Sequence, residues 1–165
     1  MRGKLVVLGI DPGTIVTGFG VVAVDEKGMR ALAWGSVRTS SDTPLAERLT
    51  KIHSEIVSQI ERHRPDHIAV ENVFQAKNAE SALKLGHARG VALLAAAGAG
   101  VPIYEYAPRE VKKSVVGVGS ATKQQVSSMV GRLLAIDCAE MREDESDAIA
   151  IAICHIHKTS RVVVG

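Results

Sequence analysis

Cysteine, aromatic rings and long apolar runs are all scarce in this chain, and each shortage removes a class of protein. Two cysteines in 165 residues, Cys138 and Cys154, are too few and too widely spaced for a zinc motif or a disulfide framework. Both read as buried thiols of a reducing compartment. No apolar stretch approaches the roughly 20 residues that a membrane span needs. The N-terminus also lacks a basic, apolar and cleavable signal. A cytoplasmic protein with no membrane partner is therefore expected. Aromatic residues make up only 3% of the chain, while apolar residues reach 46%. A chain of this length buries roughly 70% of the surface its unfolded form exposes, so a core is available without staples. With no linker, repeat or low-complexity tract, one domain over residues 1–165 is expected.

The net charge is +2, but the charges are segregated. Between Pro108 and Arg132 the positive residues Arg109, Lys112, Lys113, Lys123 and Arg132 face Glu110 alone. Between Asp137 and Asp147 the acids Asp137, Glu140, Glu143, Asp144, Glu145 and Asp147 face only Arg142. Solvated helix faces would account for both stretches. A basic surface beside an acidic pocket also suits a polyanion gripped in one place and cut in another.

Periodicity divides the chain into strands and helices. Leu5 to Asp11 is a nearly unbroken apolar run, as expected of a strand covered on both faces. Thr17 to Val24 and Arg30 to Arg38 follow as strands around the turn residues Asp25-Glu26-Lys27-Gly28. Leu45, Leu49, Ile52, Ile56 and Ile60 then mark one stripe of a helix stopped by Arg64-Pro65-Asp66. His67 to Phe74 reads as a strand, and an alanine-rich helix runs from about Asn78 to Gly98-Ala99-Gly100. Gly86 and Gly90 inside that helix each cost about 1 kcal/mol relative to alanine, which implies a close approach there. Ile103 to Tyr106 is a further strand. Helices are expected over Pro108 to Val116, Thr122 to Ile136 and Asp144 to Lys158. Three meandering strands followed by alternating helices and strands imply an α/β layer fold: a mixed five-stranded sheet with helices on both faces.

Four acids stand where this pattern breaks. Asp11 ends one strand, Glu71 sits within another run of buried character, and Asp144 and Asp147 open the last helix. Each has a plain structural reading: Asp11-Pro12-Gly13 is a common turn, and acids at a helix start complement its dipole. Their spacing nevertheless puts Asp144 and Asp147 on one helical face. Converging acids would repel one another unless divalent cations neutralised them. Four carboxylates balance two Mg²⁺ ions, and the chemistry that such a site performs is phosphodiester hydrolysis. His155 and His157 are two residues apart, so a helix points them apart, and core or surface roles suffice.

The chain resembles the RuvC family of Holliday-junction resolvases, within the ribonuclease-H-like superfamily. The resemblance is carried by Gly9-Ile10-Asp11-Pro12-Gly13 with Thr17-Gly18, by Val70 through Asn78, and by Ser81 through Gly86 with Ala88-Arg89-Gly90. It continues in Glu105-Tyr106, Val111-Lys112, Val115-Val116-Gly117 and Ser146 through Ala150. It implies a ribonuclease-H-like nuclease that nicks opposing strands of a four-way DNA junction. Mg²⁺ is the implied cofactor, two ions per site, with Mn²⁺ able to substitute.

By resemblance, the metal-binding and catalytic acids fall on Asp11, Glu71, Asp144 and Asp147; some relatives carry histidine at the position of Asp144. Phe74 matches an aromatic that stacks on unpaired bases at the junction centre, although a ring pinned against the next helix would explain it too. Lys112 and Lys123 match basic residues near the active site, and Lys113 and Arg109 extend that DNA-binding surface. A homodimer is implied, with the helix of Gly86 and Gly90 resembling the segment between subunits; packing on the sheet would explain its small residues equally. A branch-migration motor is a partner by resemblance alone. Two further readings compete: Asp11-Pro12-Gly13-Thr14 also resembles the first phosphate loop of actin-like ATPases, and a noncatalytic junction-binding module would use the acids only as caps. The first needs a second phosphate loop that is absent from the chain, and the second sits poorly with four filled acid positions.

Overall fold

The computed structural model describes residues 3–72 and 77–162. Among them a five-stranded sheet forms in the order β3-β2-β1-β4-β5. Its strands are β1 (Leu5–Asp11), β2 (Val16–Asp25), β3 (Gly28–Arg38), β4 (His67–Glu71) and β5 (Ile103–Tyr106). The first three meander antiparallel, and β4 and β5 add parallel to β1. The sheet is thus mixed, as expected. β4 ends at Glu71, short of the expected Phe74, because its neighbour β5 ends at Tyr106 and the ladder finishes with Asn72 N–H donating to Tyr106 O. Val73 to Ala76 lie outside the described residues.

Helices α1 (Leu45–His63) and α2 (Ala79–Gly98) cover one face of the sheet, and α3 (Pro108–Val115), α4 (Lys123–Leu134) and α5 (Glu143–Val162) cover the other. Local chemistry sets their ends. Ile52, Ile56 and Ile60 form the buried stripe of α1, which stops at Arg64 in the left-handed region at φ 46°. Asn78 caps α2 by accepting from Ser81 N–H at 2.9 Å. Thr122 and Gln125 cap α4 reciprocally, the arrangement of a capping box. Of the two thiols, Cys154 is buried but Cys138 is only partly so, since it lies in the loop after α4 rather than inside a helix.

The seating of α5 positions everything that follows. Ala148 through Ile156 are buried without interruption, so this helix is the inner member of its layer. It lies directly on three glycines of the sheet. A Cβ built on Gly9 would meet Ala148 O at 2.1 Å, one on Gly18 would meet Asp144 O at 2.0 Å, and one on Gly20 would meet Ile149 Cγ1 at 2.5 Å. Within the chain nothing comes close at Gly86 and Gly90: nothing described lies within 4 Å of a Cβ at either position. Those two residues face outward from α2, so packing on the sheet does not account for them. The contact glycines lie in strands, where the surrounding hydrophobic run hides them.

A buried polar chain ties α5 to β4 and β5. His155 is 1% exposed, with Tyr106 Oη 2.7 Å from its Nδ1 and His67 Nδ1 2.8 Å from its Nε2. Tyr104 stacks against it at a centroid distance of 4.4 Å. A neutral imidazole offers one donor and one acceptor to these partners, whereas an imidazolium offers two donors. Burial, reinforced by His67, pushes His155 down to about 4. His157 contacts Ser114 instead, so the two histidines are separate core elements.

Two outcomes follow for stability. Gly18→Ala forces a methyl group against a backbone carbonyl that cannot swing aside, so urea unfolding should show a loss of about 3 kcal/mol. His155 takes up a proton in the unfolded chain near pH 6.5 but in the fold only near 4, so its contribution is full above 6.5 and falls away as pH drops towards 4. The loss should approach roughly 3 kcal/mol. Urea midpoints at pH 7 and 4.5 should converge in His155→Asn relative to the parent, even though that variant is less stable at neutral pH.

Candidate active site

Sheet register brings the first two acids together. β1 and β4 run parallel with Ile10 opposite Val70, so the next residue of each strand, Asp11 and Glu71, emerges at the same edge. Asp11 is also paired with Gly18 of β2, the glycine on which the Asp144 carbonyl rests. The first two turns of α5 are thereby set beside Asp11, and Asp147 follows Asp144 on the same face. Thr17 fixes the turn after Asp11, with its hydroxyl donating to Gly13 O at 2.6 Å and accepting from Gly13 N–H.

Electrostatics follows from that convergence. Burial first, then the charge of Glu71, a hydrogen bond shared with Glu71, and the charges of Asp147 and Asp144 hold the Asp11 carboxyl well above the usual range. Asp147 is pushed up to about 6, chiefly by burial and against the pull of Lys123. The other three acids therefore all act on Asp11. Among the described residues no three acids, histidines or cysteines already stand as a coordination shell. The donor set still suits a hard divalent cation: carboxylate oxygens only, in mutual repulsion that such a charge would relieve.

Cations flank the acids on two sides. Lys123 at the start of α4 pairs with Glu143 and lies 3.6 Å from Asp147. Arg38, the last residue of β3, lies 3.8 Å from Asp144. A cleft of about 620 Å³ is lined by Asp11, Glu71, Asp147, Lys77, Lys112 and Lys123, together with Pro108, Val111, Val126 and Ala150. A second cleft of about 360 Å³ opens on the α2 side of Glu71, against Pro12, Asn72 and Arg89. Lys112 and Lys123 thus stand where the sequence reading put them, beside the acids. Lys113 is exposed on α3 and Arg109 packs its side chain against Gly119, and neither lines the cleft. Phe74 lies outside the described residues. Sequence reasoning missed Arg38, which looks like an ordinary strand-end arginine until the register of β2 and β3 brings it to Asp144.

A mixed sheet in this order, with acids at the ends of its two central parallel strands and at the start of the helix laid over them, defines a ribonuclease-H-like fold. The family described as crossover junction endodeoxyribonuclease RuvC matches residues 7–155. The crossover junction endodeoxyribonuclease RuvC of Pelotomaculum thermopropionicum is 45% identical over 93% of this chain and 93% of its own. That of Photorhabdus laumondii is 49% identical over 92% of this chain and 87% of its own. The RuvC of T. thermophilus, solved in complex with a Holliday junction substrate, superposes with a TM-score of 0.90 at 40% identity, covering 96% of each chain. The yeast mitochondrial Holliday junction resolvase shares the fold at a TM-score of 0.67 and 14% identity, covering 96% of this chain and 82% of its own. This chain belongs to the RuvC family of crossover junction endodeoxyribonucleases.

Because Asp11 is held above its ordinary range by burial and by other acids, its charge opposes folding at neutral pH. Asp11→Asn should therefore raise stability in the presence of a chelator by about 1–2 kcal/mol, the size of gain typical when a strained functional group is relieved. Thermal melts should also show that adding a hard divalent cation stabilises the parent more than this variant.

Proposed function

We propose that this chain is a structure-specific DNA endonuclease that resolves four-way junctions by paired, symmetric nicks through phosphodiester hydrolysis. The observation that carries this reading is that Asp11, Glu71 and Asp147 line one cleft with Lys112 and Lys123, with Asp144 within electrostatic reach of Asp11, in a chain of the RuvC family. The relatives' names and the Holliday junction in the T. thermophilus complex supply the substrate class.

The four acids are the residues that would hold Mg²⁺, with Mn²⁺ as a substitute and two ions balancing their charge. Ions of this kind, when bound, acidify water and offset charge on the oxygens of a reacting phosphodiester. Lys112 and Lys123 set positive charge at the cleft wall, where a backbone phosphate of the entering strand would lie. Phe74 supplies the aromatic face for an unpaired base, a contact worth roughly 1–3 kcal/mol. Lys113 and Arg109, set back from the cleft, extend the basic surface over which a DNA arm would run.

The working form is a homodimer, because a four-way junction presents symmetry-related strands that two sites must reach together. The exposed face of α2 favours this: Leu83 and Leu94 are 63% and 64% exposed, and the space over Gly86 and Gly90 is open. No helix among the described residues is long and apolar enough to cross a membrane. The nuclease is taken as one cytoplasmic domain over residues 1–165.

Asp11→Asn and Glu71→Gln should each abolish nicking of a synthetic four-way junction in Mg²⁺ while leaving junction binding within a few-fold of the parent. Gel-shift and cleavage assays on the same preparations test this, with linear duplex and an RNA/DNA hybrid as controls. Full nicking by either variant would overturn the assignment of the acids. Cleavage of the hybrid in preference to the junction would redirect the proposal to a ribonuclease.

A further inference from the structure

Arg38 closes the β3 side of the acidic site with a side chain that stability does not explain. Its guanidinium Nη2 lies 3.8 Å from Asp144 Oδ2, and the two side chains are 49% and 34% exposed. Ion pairs this loose and this wet contribute about 1 kcal/mol at most. The backbone beneath it, by contrast, is held firmly. Arg38 O accepts from Lys51 Nζ at 2.7 Å, and Arg38 pairs with Val16 across the ladder. Its neighbour Thr39 donates from N–H to Ile15 O at 2.9 Å and from its hydroxyl to Thr14 O at 2.6 Å. A well-bonded base therefore presents an exposed, loosely paired cation at the rim of the site, the arrangement suited to gripping a ligand.

Charge placement indicates which ligand. Lys112 and Lys123 line the cleft from α3 and α4, on the Asp147 flank. Arg38 stands on the Asp144 flank, with the acids between. A nucleic-acid strand carries one phosphate per 3.4 Å or so of axis, so a strand drawn across the acids offers phosphates on both sides of the reacting one. Neither Lys112 nor Lys123 stands on the Asp144 side, where Arg38 is. A planar guanidinium fork is well matched to phosphate oxygens there.

We propose that Arg38 is a phosphate-binding residue for the strand being cut. Asp144 parks its guanidinium in the free protein, and the side chain transfers to the backbone phosphate on the β3 side of the reacting one. The inference rests on the junction-nuclease reading above and adds to it a residue that anchors the strand from the sheet.

Junction binding measured in EDTA across a range of salt concentrations tests it without any cleavage. Arg38→Gln should flatten the slope of log K against log salt by about 0.9, the loss of one phosphate contact. Arg38→Lys should keep the slope near that of the parent, because the charge remains. Asp144→Asn, which releases the guanidinium, should tighten binding more in the parent than in the Arg38→Gln background. An unchanged slope in Arg38→Gln overturns the proposal. Equal gains from Asp144→Asn in both backgrounds overturn the parking role, and equal losses in Arg38→Gln and Arg38→Lys would make Arg38 a structural residue. These outcomes are read against the parent: if it shows no preference for the four-way junction over duplex, the nuclease reading itself fails. If the parent binds and nicks junctions while Arg38→Gln keeps the full slope, only the Arg38 assignment falls.

Discussion

Everything at the acidic site depends on how closely one helix can lie on a sheet. Helices usually stack on sheets at a distance set by side chains on both surfaces, and at that distance acids on a helix would not reach acids on a strand end. Here Gly9, Gly18 and Gly20 remove the side chains from one surface, and the backbone of α5 occupies their place. Gly18 bears a double duty, since it is the ladder partner of Asp11 and also the floor beneath Asp144. Distance between the acids is thus written into residues that have no chemistry of their own.

That closeness has an electrostatic cost. Burying carboxylates side by side raises their pKa values, as Asp11 and Asp147 show, and nothing in the apolar core offsets it. Relief comes from groups at the rim: Lys123 by Asp147 and Glu143, Arg38 by Asp144, and the hydrogen bond between Asp11 and Glu71. Each of these is loose, solvated or proton-dependent, so each can yield to a stronger partner. A hard cation or a phosphate meets a site whose present counterions are easily exchanged.

Much of this was legible in the sequence, and what was not has identifiable causes. The apolar run Leu5–Asp11 and the stripe Ile52, Ile56, Ile60 stated their own secondary structure, because burial on both faces and a helical period leave distinct patterns. The four acids were legible because each interrupts such a pattern. Three things were not. Within the chain the close approaches lie at strand glycines that no local rule marks, and not at Gly86 and Gly90, where the cost of glycine inside a helix points. Arg38 depends on β2–β3 register, which is a pairing across the chain rather than a property of its neighbours. His155 was dismissed as a metal ligand on good grounds, but its bonds to His67 and Tyr106 join residues far apart in sequence.

The last of these explains why the acids do not simply move apart. Ile149, Ile151, Ile153 and Ile156 are at most 2% exposed, and each contributes about 2 kcal/mol through burial. His155 adds directional bonds to β4 and β5, the strands that carry and flank Glu71. To relax the repulsion by sliding α5, the protein would have to withdraw several isoleucines from the core and leave buried polar atoms unpaired. The helix therefore stays, and the strain appears as shifted protonation rather than as displacement. A site held in this way is prepared for charge neutralisation before any ligand arrives, and the preparation is supplied by the core rather than by the acids themselves.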